Sequence, residues 1–370
     1  IGVPCEVKAE EHRVGLLPSA AYQLTQRGHR VLVETGAGAG SGYPDINYTE
    51  AGAEICDTHE AVFAAADLIV KVKEPQPEET PLLREGQILF TYLHLAPAPK
   101  LTQALAASKC TAIAYETIEV NGRLPLLEPM SEIAGRMSVI VGGYYLAKHF
   151  TGSGTLLGGV PGVLPGKVVV LGGGVSGVNA ARMATGLGAD VTILDRDPEV
   201  LEKVGTHFEA RASTRFSNAA NLLDAVSGAD LVIGAVLIPG AAAPKLVTRN
   251  MLKRMQKGAV LVDVAIDQGG CFETSRATTH AEPTYVVDDV VHYCVANMPG
   301  AVARTSTYAL NNVTLPHALR IARMGWKEAL KADPYLAEGL NVHEGKVTYE
   351  AVATELGHEY RSTADVLGIA

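Results

Sequence analysis

Residues 168–177 read VVVLGGGVSG, and this stretch decides the fold class of the chain. Its apolar, β-branched start is typical of a buried parallel strand. Gly172, Gly174 and Gly177 match the pattern G-x-G-x-x-G. The first glycine permits a tight turn, the second lets a pyrophosphate approach the backbone, and the third lets the next helix pack closely on the sheet. The order strand, glycines, helix predicts a doubly wound α/β domain that binds a dinucleotide at the helix N-terminus. The alternative is an ordinary glycine-rich turn.

The segment after the glycines predicts which dinucleotide is bound. A helix is expected over residues 178–187, ending at Gly188, and a second strand then ends at Asp195. A carboxylate at this place accepts both ribose hydroxyls of an adenosine, and its charge would repel the 2′-phosphate of NADP. The sequence therefore favours NAD. Arg196 keeps the alternative open, because an arginine nearby could receive that phosphate.

Length, composition and charge exclude several classes of protein. The chain has 370 residues, 47% hydrophobic and 19% charged, which is typical of a compact protein of two or three domains. The net charge of −9 argues against nucleic acid as a main partner. Five widely spaced cysteines without a C-x-x-C pair favour reduced thiols in a cytoplasmic protein. We expect neither a signal peptide nor a membrane span, since the longest apolar stretch, residues 231–244, is too short.

An internal sequence repeat indicates that the chain contains the same β–α–β arrangement twice. Residues 66–70 (ADLIV) resemble residues 229–233 (ADLVI), and residues 86–90 (GQILF) resemble residues 258–262 (GAVLV). We therefore expect two doubly wound domains with a cleft between them, because ligands bind beyond the carboxyl ends of parallel strands. The expected limits are 1–128 with 305–370 for a substrate domain, and 129–304 for the nucleotide-binding domain.

Two long helices are expected to link the domains. One covers residues 132–150 with Ser131 as its N-cap, and the other begins near Thr305 and is bent or interrupted at Pro316. Alternating glycines at residues 36–42 follow an earlier strand, but the third glycine of the fingerprint is missing and no smooth helix start follows. We interpret them as a loop, not a second nucleotide site.

Two basic residues of the first domain could bind an anionic substrate. Arg13 follows the first short strand, and its planar guanidinium could bind a carboxylate through two hydrogen bonds. Lys71 and Lys73 alternate at the end of a strand that Pro75 closes, and Lys73 could contact a carboxylate or polarise a carbonyl. The alternative for each is an ion pair with a nearby glutamate: Glu10 or Glu11 for Arg13, and Glu74 or Glu78 for Lys73.

His94 and Asp267 are candidates for proton transfer, since each is expected at the end of an apolar strand. A histidine there can exchange a proton near neutral pH, and the alternative is a satisfied core histidine. Asp267 either binds loop N–H groups or lies beside a nicotinamide, whereas mid-strand Asp263 is the better structural acid. The sequence shows no metal-ligand spacing and no hydrolase-type nucleophile pattern.

Together these motifs resemble the L-alanine dehydrogenase family over nearly the whole chain. The matching segments are the one around Arg13, KVKEP at 71–75, TYLHL at 91–95, PMSE at 129–132, GGVPGV at 158–163, the glycine fingerprint and DVAIDQGG at 263–270. The resemblance implies two Rossmann-like domains in a homohexamer. It also implies an NAD-dependent enzyme that interconverts L-alanine with pyruvate and ammonia.

The resemblance also implies roles for individual residues. Arg13 and Lys73 would bind the carboxylate and carbonyl region of the substrate, His94 would be the acid/base, and Asp267 a second catalytic residue beside the nicotinamide. The residues implied to line the NAD site are Ser131, Gly172, Gly174, Val175, Gly177, Asp195, Ser217, Val236, Leu237, Val264, Ala265, Ile266, Asp267, Arg276, Val295, Ala296, Asn297 and Met298. Val200 is a departure, because some relatives place a basic residue near the adenosine.

The sequence is also compatible with three other functions. The NAD(H)-binding component of proton-translocating transhydrogenase resembles the same two domains, but it needs no amino-acid site, so the presence of Arg13, Lys73 and His94 together counts against it. Lysine-forming saccharopine dehydrogenases are a more distant enzyme alternative with a larger substrate. A protein that binds NADH as a regulatory ligand would need no acid/base residue.

Overall fold

The computed structural model describes residues 1–236 and 243–369. The described chain divides into two compact units. The first unit comprises Ile1–Met130 and the chain from Gly300 onwards, and the second comprises Ser131–Pro299. Among the described residues, no helix is both long and apolar enough to cross a bilayer.

The strands are, in chain order, β1 (Gly2–Val3), β2 (Leu32–Glu34), β3 (Glu54–Cys56), β4 (Leu68–Val70), β5 (Ile88–Thr91), β6 (Thr111–Ala114), β7 (Lys167–Leu171), β8 (Asp190–Asp195), β9 (Ser213–Phe216), β10 (Leu231–Gly234), β11 (Val260–Asp263), β12 (Thr284–Val287), β13 (Val290–Tyr293), β14 (Leu340–His343) and β15 (Lys346–Val347).

The helices are α1 (Pro18–Thr25), α2 (Asp45–Glu50), α3 (His59–Ala65), α4 (Pro99–Ser108), α5 (Glu128–Tyr145), α6 (Val175–Gly186), α7 (Pro198–Phe208), α8 (Ala219–Ser227), α9 (Arg249–Leu252), α10 (Ala303–Met324), α11 (Trp326–Ala332), α12 (Pro334–Ala337), α13 (Glu350–Leu356) and α14 (Thr363–Leu367).

Both units contain a mostly parallel sheet with the same central strand order. The first sheet is ordered β15-β14-β6-β5-β4-β1-β2-β3, and the second β12-β13-β11-β10-β7-β8-β9. The six parallel strands of each sheet follow the Rossmann order 3-2-1-4-5-6, and the antiparallel strands extend one edge. This arrangement confirms the predicted fold class of two Rossmann-like α/β units.

The strands predicted from the internal sequence repeat are equivalent in the two sheets. β4 pairs in parallel with β5, with Leu68 opposite Ile88, and β10 pairs in parallel with β11, with Leu231 opposite Val260. In the second unit, apolar side chains are buried on both sheet faces, as a parallel sheet covered by helices requires. The repeated sequence pattern therefore corresponds to a repeated structure.

Three local predictions were wrong in their details. Ser131 does not cap a helix, because α5 already begins at Glu128, with Pro129 in its first turn where a missing N–H costs no hydrogen bond. α10 begins before Thr305 and continues through Pro316 to Met324. A helix does start after the alternating glycines: the Asp45 carboxylate opens α2 and accepts the Gly36 N–H at 2.8 Å.

Candidate active site

The glycine fingerprint forms the turn between β7 and α6. Gly172 has a φ of +100°, which favours glycine, and a Cβ on Gly177 would lie 1.8 Å from the Gly172 carbonyl oxygen. Among the described residues, apart from Gly174 and its two chain neighbours, no heavy atom lies within 4 Å of the place where a Cβ of Gly174 would be. The helix starts at Val175, three residues earlier than predicted, so its first N–H groups lie directly after the turn. This open turn fits a bound pyrophosphate.

Asp195 ends β8 beside this turn, as predicted. Its carboxylate accepts the Gly173 N–H at 2.7 Å and the Asp197 N–H at 2.9 Å, so the side chain is fixed in place. A cavity of about 280 Å³ adjoins Gly173, and its lining consists of Gly173, Val178, Val200, Lys203, Val204 and His207. Val200 lies in this lining, where the basic groups come from Lys203 and His207 on α7. Arg196 is exposed.

The other residues predicted for the NAD site follow the carboxyl ends of neighbouring strands. Ser217 follows β9, Val236 follows β10, 264–267 follow β11 and 295–298 follow β13. The Ser217 N–H donates to the Asp195 carbonyl at 2.8 Å. Leu237 lies outside the described residues. The strand ends thus place these residues along one edge of the second sheet.

Two further predicted residues reach this region from other elements. Ser131 lies in α5, and its carbonyl accepts the Ser176 hydroxyl at 2.9 Å, next to the glycine turn. Arg276 is exposed, and its guanidinium lies 4.1 Å from the centre of the Tyr285 ring. Cation–π contact of this kind restrains the arginine.

Asp267 does not end a strand, because β11 stops four residues earlier at Asp263. Asp267 is exposed in a 3₁₀ turn, Ile266–Gln268. Asp263 is buried and accepts the Ala265 N–H at 3.1 Å, the Cys271 N–H at 2.9 Å and the Ser275 hydroxyl. Burial raises the pKa of Asp263, against the opposing effect of these hydrogen bonds. Asp263 is thus the structural acid that shapes the loop carrying Asp267.

In the first unit, Arg13 is buried rather than on the surface, with 2% of its area exposed. It pairs with Glu11, one of the two partners considered. Nε donates to Oε1 at 2.7 Å and Nη2 to Oε2 at 2.5 Å, while Nη1 lies 3.0 Å from the Met130 sulfur. Glu11 binds one edge of the guanidinium, which fixes its orientation.

Lys71 and Lys73 both lie beyond β4, which ends at Val70, and their environments differ. Lys71 is fully buried, whereas Lys73 is half-buried. Glu74, considered as a partner for Lys73, forms an ion pair with Lys8 and also interacts electrostatically with Lys73. The Lys73 carbonyl accepts the Thr91 hydroxyl at 3.0 Å, so its backbone is anchored at the end of β5.

His94 lies three residues beyond β5, and the core-histidine alternative is wrong because 43% of its side chain is exposed. It has a left-handed φ of +48°, and its ring stacks on that of Tyr92 with centres 5.7 Å apart and planes 7° from parallel. The Tyr92 hydroxyl donates to the Leu126 carbonyl at 2.6 Å. A buried aromatic ring therefore supports an exposed imidazole.

Sequence reasoning missed Glu116, which holds the His94 segment. Its carboxylate accepts the Leu93 N–H at 3.1 Å and the His94 N–H at 2.6 Å, and it lies 4.0 Å from His94 Nδ1. The signal was available, because Glu116 follows β6 as an acid just beyond a strand end. Arg13 interacts electrostatically with Tyr92, so the structure brings Arg13, His94 and Glu116 to the same region of the first unit.

Comparison with known proteins covers both units. The model of the alanine dehydrogenase/PNT N-terminal domain matches residues 2–134, and that of the C-terminal domain matches residues 138–350. The chain is 58% identical to an alanine dehydrogenase of Halomonas elongata, over 100% of both chains. It is 53% identical to one of Mycolicibacterium smegmatis, over 99% of both.

Solved structures agree. An L-alanine dehydrogenase superposes with a TM-score of 0.93 at 51% identity, covering 96% of this chain and 98% of that one. A transhydrogenase from Sinorhizobium meliloti gives a TM-score of 0.81 at 26% identity, covering 93% and 99%. The matches span both units and nearly every residue, and the chain therefore belongs to the alanine dehydrogenase/PNT family.

Proposed function

We propose that this protein is an NAD-dependent L-alanine dehydrogenase, which reversibly converts L-alanine to pyruvate and ammonia with hydride transfer to NAD. One observation carries the proposal: the first unit groups a buried arginine, a lysine and an exposed, carboxylate-supported histidine. A protein that only binds a nucleotide needs none of them. The full-length similarity to alanine dehydrogenases supports this reading over the more distant transhydrogenase.

The second unit is the proposed cofactor domain. The open backbone at Gly174 and the fixed carboxylate of Asp195 fit the pyrophosphate and the adenosine ribose of NAD. When bound, NAD supplies the hydride acceptor at its nicotinamide ring. Asp267, exposed in its turn beyond β11, is proposed as the second catalytic residue, and the remaining strand-end residues given above are proposed to line the NAD site.

The first unit is the proposed substrate domain. Arg13 binds the carboxylate of alanine, and Lys73 is placed to meet the oxygen that forms at the reacting carbon. Held by Arg13, alanine with an unprotonated amine has its Cα hydrogen oriented for departure as hydride, and the nitrogen lone pair forms the iminium. Lys73 then stabilises the negative charge that develops on the oxygen at this carbon.

His94 carries the proton transfers. In its neutral form it takes a proton from water as the oxygen adds to the iminium carbon, which gives a carbinolamine. It returns that proton to the nitrogen and then accepts the hydroxyl proton as the C–N bond breaks, so that pyruvate and ammonia leave. Tyr92 and Glu116 hold the imidazole in place during both steps.

The proposal is tested by mixing the purified protein with L-alanine and NAD, with NADP in parallel, and following NADH absorbance. Turnover with NAD alone is expected. His94→Ala should lower kcat by roughly 10²–10⁴-fold while NADH binding, measured by fluorescence, persists. His149→Ala, on an exposed histidine of the other unit, is the matched control. NADH binding without amino-acid oxidation in the wild type would favour a transhydrogenase-type component instead.

We further propose a homohexamer in the cytoplasm. Exposed apolar side chains support self-association: Leu156, Val160, Val163 and Leu164 are 54–88% exposed in one loop region of the second unit. The five cysteines are free thiols, which supports a reducing compartment. Native mass spectrometry would measure the subunit number, and a monomer at micromolar concentration would contradict the assembly.

A further inference from the structure

In each sheet the strand order reverses at one point, and the two units differ in what lies at that point. In the second unit this point lies between β7 and β10, and the glycine turn there is open. In the first unit it lies between β1 and β4. There the side chain of Glu6, three residues beyond β1, approaches the backbone beyond β4. Its carboxylate accepts the Val72 N–H at 2.6 Å and the Lys73 N–H at 3.2 Å.

Glu6 thus replaces a neighbouring strand along one edge of residues 71–73. The opposite edge pairs with β5 and its continuation: the Lys71 N–H donates to the Phe90 carbonyl, and the Tyr92 N–H donates to the Val72 carbonyl, both at 3.2 Å. The segment lies beyond the end of β4, but both of its edges are bonded. The backbone of Lys73 is therefore fixed by two side chains, because Glu6 binds its N–H and Thr91 binds its carbonyl.

Lys71 is the charged partner of the Glu6 carboxylate. Both side chains are almost completely buried, and Lys71 Nζ lies 3.3 Å from Glu6 Oε2 and 2.6 Å from Glu79 Oε1. Burial raises the pKa of Glu6, and the Lys71 ammonium opposes that effect. An ionised carboxylate accepts hydrogen bonds at both oxygens, whereas a protonated one turns an oxygen into a donor. Lys71 therefore favours the form of Glu6 that can accept both N–H groups.

Stability alone is a weak reason for such a cluster. Buried ion pairs contribute little compared with apolar side chains of the same size, since each charge loses its hydration. The charge of Glu6 also reaches Arg13, whose pKa it helps to raise, so the cluster lies near both residues proposed to bind the substrate.

We propose that Glu6, paired with Lys71, is a positioning residue that fixes the backbone of Lys73 so that its ammonium meets the substrate oxygen. This inference rests on the proposed role of Lys73. It assigns the buried cluster to amino-acid recognition, at the point where the other unit binds its nucleotide.

The test compares KM for pyruvate with KM for NADH in Glu6→Gln and Glu6→Ala. Gln keeps one acceptor oxygen, so we expect KM for pyruvate to rise roughly tenfold with Gln and further with Ala, because charge-assisted hydrogen bonds are lost. KM for NADH should stay within about twofold, since no contact of the second unit changes. Lys71→Met should act like Glu6→Gln, and Lys71→Arg, which keeps the charge, should recover most of the loss.

Each variant is repeated in a Lys73→Met background. If Glu6 acts through Lys73, the second substitution should change KM for pyruvate by less than about twofold there. Leu105→Ala, a cavity in the core of the same unit, controls for lost stability and should leave KM unchanged. Circular dichroism verifies folding, and Glu6→Gln carries the test if Glu6→Ala does not fold.

The outcomes separate the two proposals. If Lys73→Met raises KM for pyruvate but the Glu6 variants do not, or if the effects add fully, the positioning role is wrong and the role of Lys73 stands. If Lys73→Met leaves KM unchanged, the role of Lys73 is wrong and the positioning role falls with it.

Discussion

Oε1 of Glu116 lies 2.6 Å from the backbone nitrogen of His94 and 4.0 Å from Nδ1 of the same residue. One carboxylate thus holds the left-handed backbone of the histidine and also faces its ring. A residue with φ of +48° is strained, and such strain persists only where surrounding groups enforce it. Glu116 supplies that enforcement.

Replacing Glu116 by Gln should lower kcat roughly tenfold, because the imidazole loses its anionic neighbour and its fixed orientation. Steady-state kinetics measures the change, and NADH fluorescence should show unaltered cofactor binding. Glu119→Gln, on an exposed glutamate nearby, is the control and should behave as the wild type. Equal kcat values for both variants would show that Glu116 only anchors the chain.

Two glycines of the fingerprint should respond differently to alanine. Gly177→Ala should destabilise the fold by about 1–3 kcal/mol, because its Cβ would overlap the Gly172 carbonyl. Gly174→Ala should fold normally but weaken NADH binding roughly tenfold, since its methyl group would occupy the approach of the pyrophosphate. Urea unfolding and NADH titration measure the two effects.

The control for this pair is Gly186→Ala at the end of α6. Among the described residues, no heavy atom beyond its chain neighbours and the backbone of α6 lies within 4 Å of the place that its methyl group would take. The change should therefore stabilise the fold by about 0.4–1 kcal/mol and leave NADH affinity unaltered. If Gly174→Ala binds NADH as tightly as this control, the pyrophosphate does not lie at that turn.

Asp195→Asn should relax the choice of cofactor. Removal of the charge weakens the bonds to the ribose hydroxyls and ends the repulsion of a 2′-phosphate, so kcat/KM should fall roughly tenfold with NAD while turnover with NADP becomes measurable. Asp197→Asn is the matched control, because either side chain caps α7. An unchanged ratio of NAD to NADP activity would refute the role of Asp195.

His59 should make stability depend on pH. Burial alone would lower its pKa, but hydrogen bonds to Glu34 and Glu79 outweigh burial and raise the pKa to about 9. Because the folded-state pKa exceeds the ordinary 6.5, protonated His59 stabilises the fold fully below pH 6.5, and this stability is lost as pH rises through 9. The loss should amount to roughly 1–2 kcal/mol.

Urea unfolding of the wild type and of His59→Gln at several pH values measures this effect. The glutamine variant should show a flatter dependence of the free energy of unfolding between pH 6.5 and 9. Parallel curves for the two proteins would mean that other groups set the alkaline limit.

The parts of the fold that the sequence predicts well depend on local patterns. VVVLGGGVSG combines a buried strand, a left-handed turn at Gly172 and a close helix contact at Gly177, all within ten residues. The sequence repeat between residues 66–70 and 229–233 is predictive for the same reason, because the two segments form strands at equivalent positions of the two sheets. Both depend on backbone requirements that few residue types meet.

The missed parts depend on contacts between residues distant in sequence. Glu116 binds the backbone at His94, and Glu6 binds it at Lys73. Both acids follow strand ends, but the sequence does not indicate which distant backbone N–H groups they bind. Lys71 alternates with Lys73 in the sequence but is fully buried, because Glu6 and Glu79 provide partners that no local pattern reveals. Tertiary electrostatics decides these positions.

The antiparallel pairing of β6 with β14 determines the order in which a growing chain can fold. Residues 111–114 must wait for residues 340–343, which leave the ribosome only after the whole second unit has been made. The second unit is continuous in sequence and can fold while synthesis proceeds, whereas the first sheet keeps an open edge at β6 until nearly the end. Newly made chains are therefore exposed to edge-to-edge association at β6, and a premature stop before residue 340 leaves that edge permanently uncovered.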